Sequence, residues 1–253
     1  MRHIPVLAVL LLGLSTPASA HFQELLPTTD LVGPAAPELT LDLTFTHPMA
    51  RGPVMEMARP ARFGVLTDAG LVDLAATLNE RKKDGKTAWT TSYRPASPGD
   101  YIFYVEPQPY WEEAEQKSII HYAKVVVDAY DAGAGWDRLI GLPVEIEPLT
   151  RPYGLWTGNV FSGLVRRDGK PVPFAEVEVE WVNDGTLTPP ADAFVTQVIK
   201  ADGNGVFHYA LPRGGWWGFA ALVAGDTPLN GPDGKPHEVE LGGLIWVKAT
   251  DMK

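Results

Sequence analysis

The sequence predicts an all-β protein: two consecutive antiparallel β-sandwich domains after a cleaved signal peptide. Three observations carry this expectation. Apolar and polar residues alternate over many short stretches, the period-two signature of a half-buried strand. Turn-forming residues are dense, with 25 glycines and 23 prolines in 253 residues. No long stretch sustains the 3.6-residue apolar spacing of an amphipathic helix.

The first twenty residues read as an export signal. Met1-Arg2-His3 gives a positive start, Ile4 to Leu14 an apolar core, and Thr16-Pro17-Ala18-Ser19-Ala20 the small residues of an A-x-A-like cleavage site. Cleavage after Ala20 makes His21 the first residue of the mature chain. Its α-amine (pKa near ~7.7–8) and imidazole (near ~6.5) both shed protons readily, so one residue can chelate a transition metal through two nitrogens.

The strands follow in order. Glu38–His47 alternates, with Leu39, Leu41, Leu43 and Phe45 on one face. Further strands are expected at Ala61–Thr67, Ala88–Arg94, Asp100–Glu106 and Ser118–Tyr130, and Leu71–Asn79 fits a short strand or a helical turn equally well. Pro98-Gly99-Asp100 is a turn that feeds Tyr101-Ile102-Phe103-Tyr104-Val105. The prolines and glycines of Gly141–Gly154 read as a connector, which sets a domain boundary near residue 150. Beyond it come strands at Asn159–Val165, Ala175–Trp181, Val195–Ile199, Val206–Leu211, Gly218–Ala224 and Leu244–Lys248, separated by turn signals as in a sandwich.

Composition narrows the function classes. There are no cysteines, hence no disulfides, thiolate metal site or lipoprotein anchor. The formal net charge is −10, and the signal removes one arginine and no acidic residue, so the mature chain is more acidic still. That balance disfavours nucleic acid and anionic membrane surfaces and mildly favours cations. No later apolar run approaches the ~18–20 residues needed to span a bilayer. The expectation is a soluble periplasmic protein without direct membrane insertion. No Ser-His-Asp order, phosphate-binding loop, paired-carboxylate motif or H-E-x-x-H helix is present, so no enzymatic activity is expected.

The chemistry-bearing residues are histidines. His47 shares phase with Leu39 to Phe45 and stands where Pro48 ends regular pairing, so it points to the apolar face at the rim of the sandwich. His121 shares phase with Ile119, Ala123, Val125 and Val127. A lone histidine on an apolar face is more often hydrogen-bonded structure than ligand. Two of them together with an amino-terminal histidine are expected to form a metal site of His21, His47 and His121, since imidazole suits nickel, cobalt, copper and zinc. The geometric expectation is that His47 and His121 lie at the same end of the first sandwich and that the mature amino terminus returns to meet them. His208 is out of phase with its apolar neighbours, and His237 lies in a polar turn.

Met49, Met55 and Met57 crowd the segment after His47 and offer thioethers that favour Cu(I), although packing of an irregular junction explains them more simply. Glu56, Glu106 and Glu113 are further possible carboxylate donors, the last two in a loop with Tyr110 and Trp111 that suits a ligand-facing surface. Gly214-Gly215-Trp216-Trp217-Gly218-Phe219 reads as aromatic burial at a strand start.

The same segments resemble a family of bacterial periplasmic proteins associated with cobalt/nickel ABC-type transport systems, often left as a domain of unknown function. The resemblance rests on His21-Phe22-Gln23, Phe45-Thr46-His47-Pro48-Met49 and Gly52-Pro53-Val54-Met55. It extends through Pro98-Gly99-Asp100-Tyr101, Pro109-Tyr110-Trp111, Ile120-His121-Tyr122, Pro148–Gly154 and Gly214–Phe219. Gly169–Pro173 and Asp202–Phe207 make the second half similar to transthyretin-like or carboxypeptidase-regulatory-like sandwiches. The resemblance implies capture or delivery of Ni²⁺ or Co²⁺ to a membrane transporter. Two alternatives stand beside it: a periplasmic copper-binding protein with the same site, and a metal-free envelope sandwich that binds a protein or glycan.

Overall fold

The computed structural model describes residues 21–252. The expected signal peptide, its cleavage point after Ala20, and His3 lie outside the described residues. In chain order the principal strands are β1 (Phe22–Pro27), β2 (Leu39–Thr46), β3 (Arg62–Thr67), β4 (Gly70–Asp73), β5 (Asn79–Lys83), β6 (Lys86–Tyr93), β7 (Gly99–Glu106) and β8 (Tyr110–Glu112). They continue with β9 (Lys117–Ala129), β10 (Val144–Pro148), β11 (Val160–Arg167), β12 (Glu176–Trp181), β13 (Gln197–Lys200), β14 (Val206–Ala210), β15 (Gly215–Ala224) and β16 (Val239–Thr250).

The protein is an all-β sandwich. Its centre is an eleven-stranded sheet whose main path runs β13-β12-β15-β16-β9-β7-β3-β4. Strands from both sides of residue 150 thus share one sheet. They join where β9 and β16 run parallel, with His121 opposite Gly242 and Ala123 opposite Leu244. The long ladders to either side, β15 with β16 and β7 with β9, are antiparallel. Among the described residues no helix is long and apolar enough to cross a membrane.

Two smaller sheets cover opposite faces of the central one. The sheet β1-β2-β6-β5 contributes Phe22, Leu25, Leu39, Leu41, Leu43 and Trp89 to a core that takes Phe103, Val125, Ala220, Leu244 and Trp246 from the central sheet. A second four-stranded sheet, built on β10, β11 and β14, packs Ile146, Phe161, Val165 and Phe207 against Val179, Phe219, Ala221, Ile245 and Val247. Neighbouring residues of β15 and β16 therefore point into different cores, because successive side chains of a strand face opposite ways. That double burial explains the unbroken apolar run Leu244-Ile245-Trp246-Val247, which a one-sided strand would interrupt with polar residues.

Three segments differ from the sequence expectation. The connector around Gly141–Gly154 contains β10, in which Val144, Glu145 and Ile146 are all buried. Leu71–Asn79 resolves into the end of β4, a 3-10 turn at Ala75–Thr77 and the first residue of β5. The amino-terminal strand β1 has no expected counterpart, because Gln23 and Glu24 are buried in it and spoil the alternation. Gln23 is held by its side-chain amide, which donates to the carbonyls of Glu24 and Thr44, while its own carbonyl accepts from Trp246 Nε1 at 2.9 Å.

Candidate functional site

β1 pairs antiparallel with β2, with Phe22 opposite Thr46 and Leu25 opposite Leu43. One further step along that register sets His21 opposite His47, at the point where the Pro48 turn leaves the sheet. The two imidazoles lie with centroids 4.5 Å apart and planes tilted by 51°. Phe45 stacks on the other side of His21 at 5.4 Å, and Tyr110 closes it at 5.7 Å. His21 and His47 are both buried.

His121 arrives from β9 and lies below this pair with 1% of its surface exposed. Its Nδ1 faces the backbone carbonyl of His21 at 2.6 Å. Its Nε2 faces Glu240 Oε1 at 3.1 Å. The second oxygen of Glu240 takes the ammonium of Lys117 at 2.6 Å. Burial opposes ionisation of Glu240, but the His121 contact and Lys117 outweigh it and hold its pKa down to about 2. His21 has its own carboxylate: its Nε2 lies 2.9 Å from Glu112 Oε2, supplied by β8.

The electrostatics keep the His21 ring neutral. Burial is the largest cause, followed by the charges of His47 and His121, and together they lower its pKa to about 3. A neutral imidazole retains the lone pair that binds a metal. Among the described residues no group of three or more His, Cys, Asp or Glu side chains is arranged to hold a metal ion. Side chains alone therefore do not complete a coordination sphere here. The signal cleavage expected from the sequence would add a donor at the same place, by converting the His21 backbone nitrogen from an amide, which has no lone pair to give, into an amine that does.

The structure thus brings His21, His47 and His121 to one end of the first sandwich, but in different roles. His21 and His47 face each other, whereas both nitrogens of His121 face oxygen atoms. Glu112, Glu240 and Lys117 are the neighbours that sequence reasoning did not single out. Glu112 sits inside the acidic-aromatic segment that was legible as ligand-facing. Glu240 lies on the last strand, and nothing in its local sequence marks it.

The other candidates are engaged elsewhere. Met49, Met55 and Met57 enter three separate apolar clusters, so they form no common thioether set. Glu56 accepts the Thr87 amide at 3.1 Å, Glu106 pairs with Arg62, and Glu113 accepts from Trp111 Nε1 at 2.7 Å. His208 is exposed and meets Ser162 Oγ, while His237 meets Asp233.

Comparison with known proteins gives the following. Residues 18–225 match the model of DUF4198, described as a domain of unknown function. No curated protein matches the sequence. Among solved structures, a bacterial ice-binding adhesin involved in host cell surface retention aligns at 8% identity over 88% of this chain and 60% of its own, with a TM-score of 0.26. Domains A168–A170 of titin align at 8% identity over 88% of this chain and 61% of theirs, with a TM-score of 0.22. The chain spans about three fifths of the length of these two structures.

Proposed function

The chain belongs to the DUF4198 family, a domain of unknown function, and we propose that it is a periplasmic metal-binding accessory protein that delivers Ni²⁺ or Co²⁺ to a membrane transporter. The mature protein holds the ion as cargo at its amino terminus. The donors are the α-amine and ring of His21 and the ring of His47.

The observation that carries this reading is the facing pair His21–His47, 4.5 Å apart, with the His21 ring held neutral by its burial. With Nε2 engaged by Glu112, His21 has Nδ1 left for the ion, and Nδ1 is the ring nitrogen that closes a six-membered chelate with the α-amine. A carboxylate behind a ligating imidazole is the usual outer partner that orients the ring and raises its basicity. Nitrogen donors of this kind suit late divalent ions of the first transition row.

A second reading, copper as the cargo, draws support from the donor set itself. One amine and two imidazoles bind Cu²⁺ more tightly than Ni²⁺ or Co²⁺ at equal geometry, by the ordinary stability order. Affinity in vitro does not separate the two readings; the metal that restores growth of a deletion strain under metal limitation does.

The direct test is calorimetry on protein whose first residue is His21, beside the same chain with one extra residue retained before it. About one ion should bind to the first, and the extra residue should weaken binding at least about a hundredfold by removing the amine donor. Absence of binding by the correctly processed protein rules the proposal out.

A further inference from the structure

Both ring nitrogens of the buried His121 are turned on oxygen atoms of the protein, the His21 carbonyl and Glu240 Oε1. A backbone carbonyl only accepts, so Nδ1 at 2.6 Å from the His21 oxygen carries the proton. Nε2 lies 3.1 Å from Glu240, whose carboxylate is fixed from behind by Lys117 at 2.6 Å. The chain Lys117–Glu240–His121 thus ends on the main chain of His21, one hundred residues away in sequence. From this geometry we infer that His121 is a positioning residue and not a metal ligand. It clamps the carbonyl of the first mature residue so that the amine and ring of that residue are set for chelation before an ion arrives.

This inference rests on the metal-binding reading above and gives one of its histidines a different task. The clamp acts where it is most needed. A chain-terminal residue is ordinarily frayed, and every dihedral that binding must fix weakens binding. In His21 the carbonyl carbon is bonded to the same Cα that carries both the amine and the side chain, so fixing the carbonyl anchors both donors and leaves fewer torsions for binding to fix.

The strand next to His121 is shaped for this ring. Gly242 stands opposite His121 in the parallel pairing of β9 and β16. A methyl group on Gly242 would lie 2.3 Å from His121 Cδ2 and 2.8 Å from Nε2, so any larger residue displaces the imidazole. The backbone of Gly242 needs no positive φ, which leaves the space for His121 as the reason a side chain is excluded.

The test uses mature protein beginning at His21, three substitutions around the clamp and His47→Ala as the ligand control. His121→Asn keeps a donor one atom beyond Cγ, where Nδ1 stands, but removes the imidazole; His121→Ala removes both; Gly242→Ala moves the ring without deleting it. Cu²⁺ serves as the spectroscopic probe and Ni²⁺ as the calorimetric one. His121→Ala and Gly242→Ala should weaken Ni²⁺ binding about 10–100-fold, the usual scale for an outer partner. His121→Asn should recover most of the affinity. The paramagnetic resonance spectrum should count the same number of nitrogen donors on Cu²⁺ in all three and one fewer in His47→Ala.

Loss of a nitrogen in the His121 variants makes His121 a ligand and overturns the inference. So does wild-type affinity in both His121→Ala and Gly242→Ala. Amide exchange at Phe22 to Leu25 in metal-free protein decides the clamp independently, because His121→Ala should speed it and His121→Asn should not. If the wild-type protein binds no metal, the function proposed above fails while the exchange result still tests the clamp; unchanged exchange in a folded His121→Ala chain refutes it.

Discussion

Glu112 Oε2 lies 2.9 Å from the Nε2 edge of the His21 imidazole, and both side chains are largely out of solvent. The contact fixes which ring nitrogen remains for other partners. Replacing the carboxylate by an amide should let the ring turn and lower its basicity. Glu112→Gln is therefore expected to weaken Ni²⁺ binding about 10–100-fold while leaving the thermal midpoint within a few degrees of wild type. Unchanged affinity in calorimetry would show that the pair has no bearing on the metal.

A different carboxylate contributes to how stability varies with pH. Glu178 on β12 is buried, and its Oε2 has no hydrogen-bond partner. Burial, then the charges of Glu240, Glu180 and Glu176, push its pKa up to about 8. The folded protein thus keeps a proton on Glu178 that the unfolded chain releases near pH ~4.3. The stability linked to that proton is complete below about pH 4 and is lost as pH rises through about 8. Glu178→Gln, neutral at every pH, should match wild type at pH 5 and melt at least about 5 °C higher at pH 9. Parallel pH profiles of the melting temperature would contradict this.

Lys124 and Glu145 form an ion pair of 2.6 Å with 1% and 3% side-chain exposure. Glu145 also accepts the backbone amides of Ile140, Gly141 and Leu142 at 2.9, 2.9 and 3.2 Å. Breaking a buried pair by removing one partner typically costs about 3–5 kcal/mol. Lys124→Met leaves the carboxylate its three amide donors, whereas Glu145→Leu strands an ammonium and three amides together. Glu145→Leu should be the costlier change in urea unfolding, by at least about 1 kcal/mol. Equal costs would mean that the amides find other partners.

The second core offers a control that separates stability from the site. A Cβ on Gly163 would lie 2.7 Å from the Phe207 ring and 2.8 Å from Ile146 Cγ2. Gly163→Ala should destabilise by about 1–3 kcal/mol through overpacking. Metal affinity of the folded variant should stay within about twofold of wild type, because Gly163 sits in β11, in a sheet that contributes nothing to the histidine cluster. A large change in affinity would point to coupling between the two cores.

The one-sided strands were the most legible part of the sequence. Leu39, Leu41, Leu43 and Phe45 alternate with polar residues, and β2 spans Leu39–Thr46. His47 and His121 were in phase with apolar neighbours, and both are buried at one end of the first sandwich. What could not be read depends on partners far along the chain. β1 hides Gln23 and Glu24, whose distant partners are Thr44, Met57, Lys83 and Trp246. The sharing of one sheet by both halves turns on the parallel pairing of β9 with β16, and period-two patterning carries no information about which strand lies alongside. The carboxylate beside His121 comes from residue 240, so its role emerges only once that pairing is made.

The central place of β16 gives the molecule a direction in time. Val239–Thr250 lies between β15 and β9 and brings Glu240 to His121. Synthesis from the amino end delivers His21 long before this strand. His21 must wait for β16, and one edge of β9 stays unpaired over Ser118–Val125 until then. Assembly of the histidine cluster is thereby tied to completion of β16, and a chain stopped before it carries His21 without Glu240 behind His121.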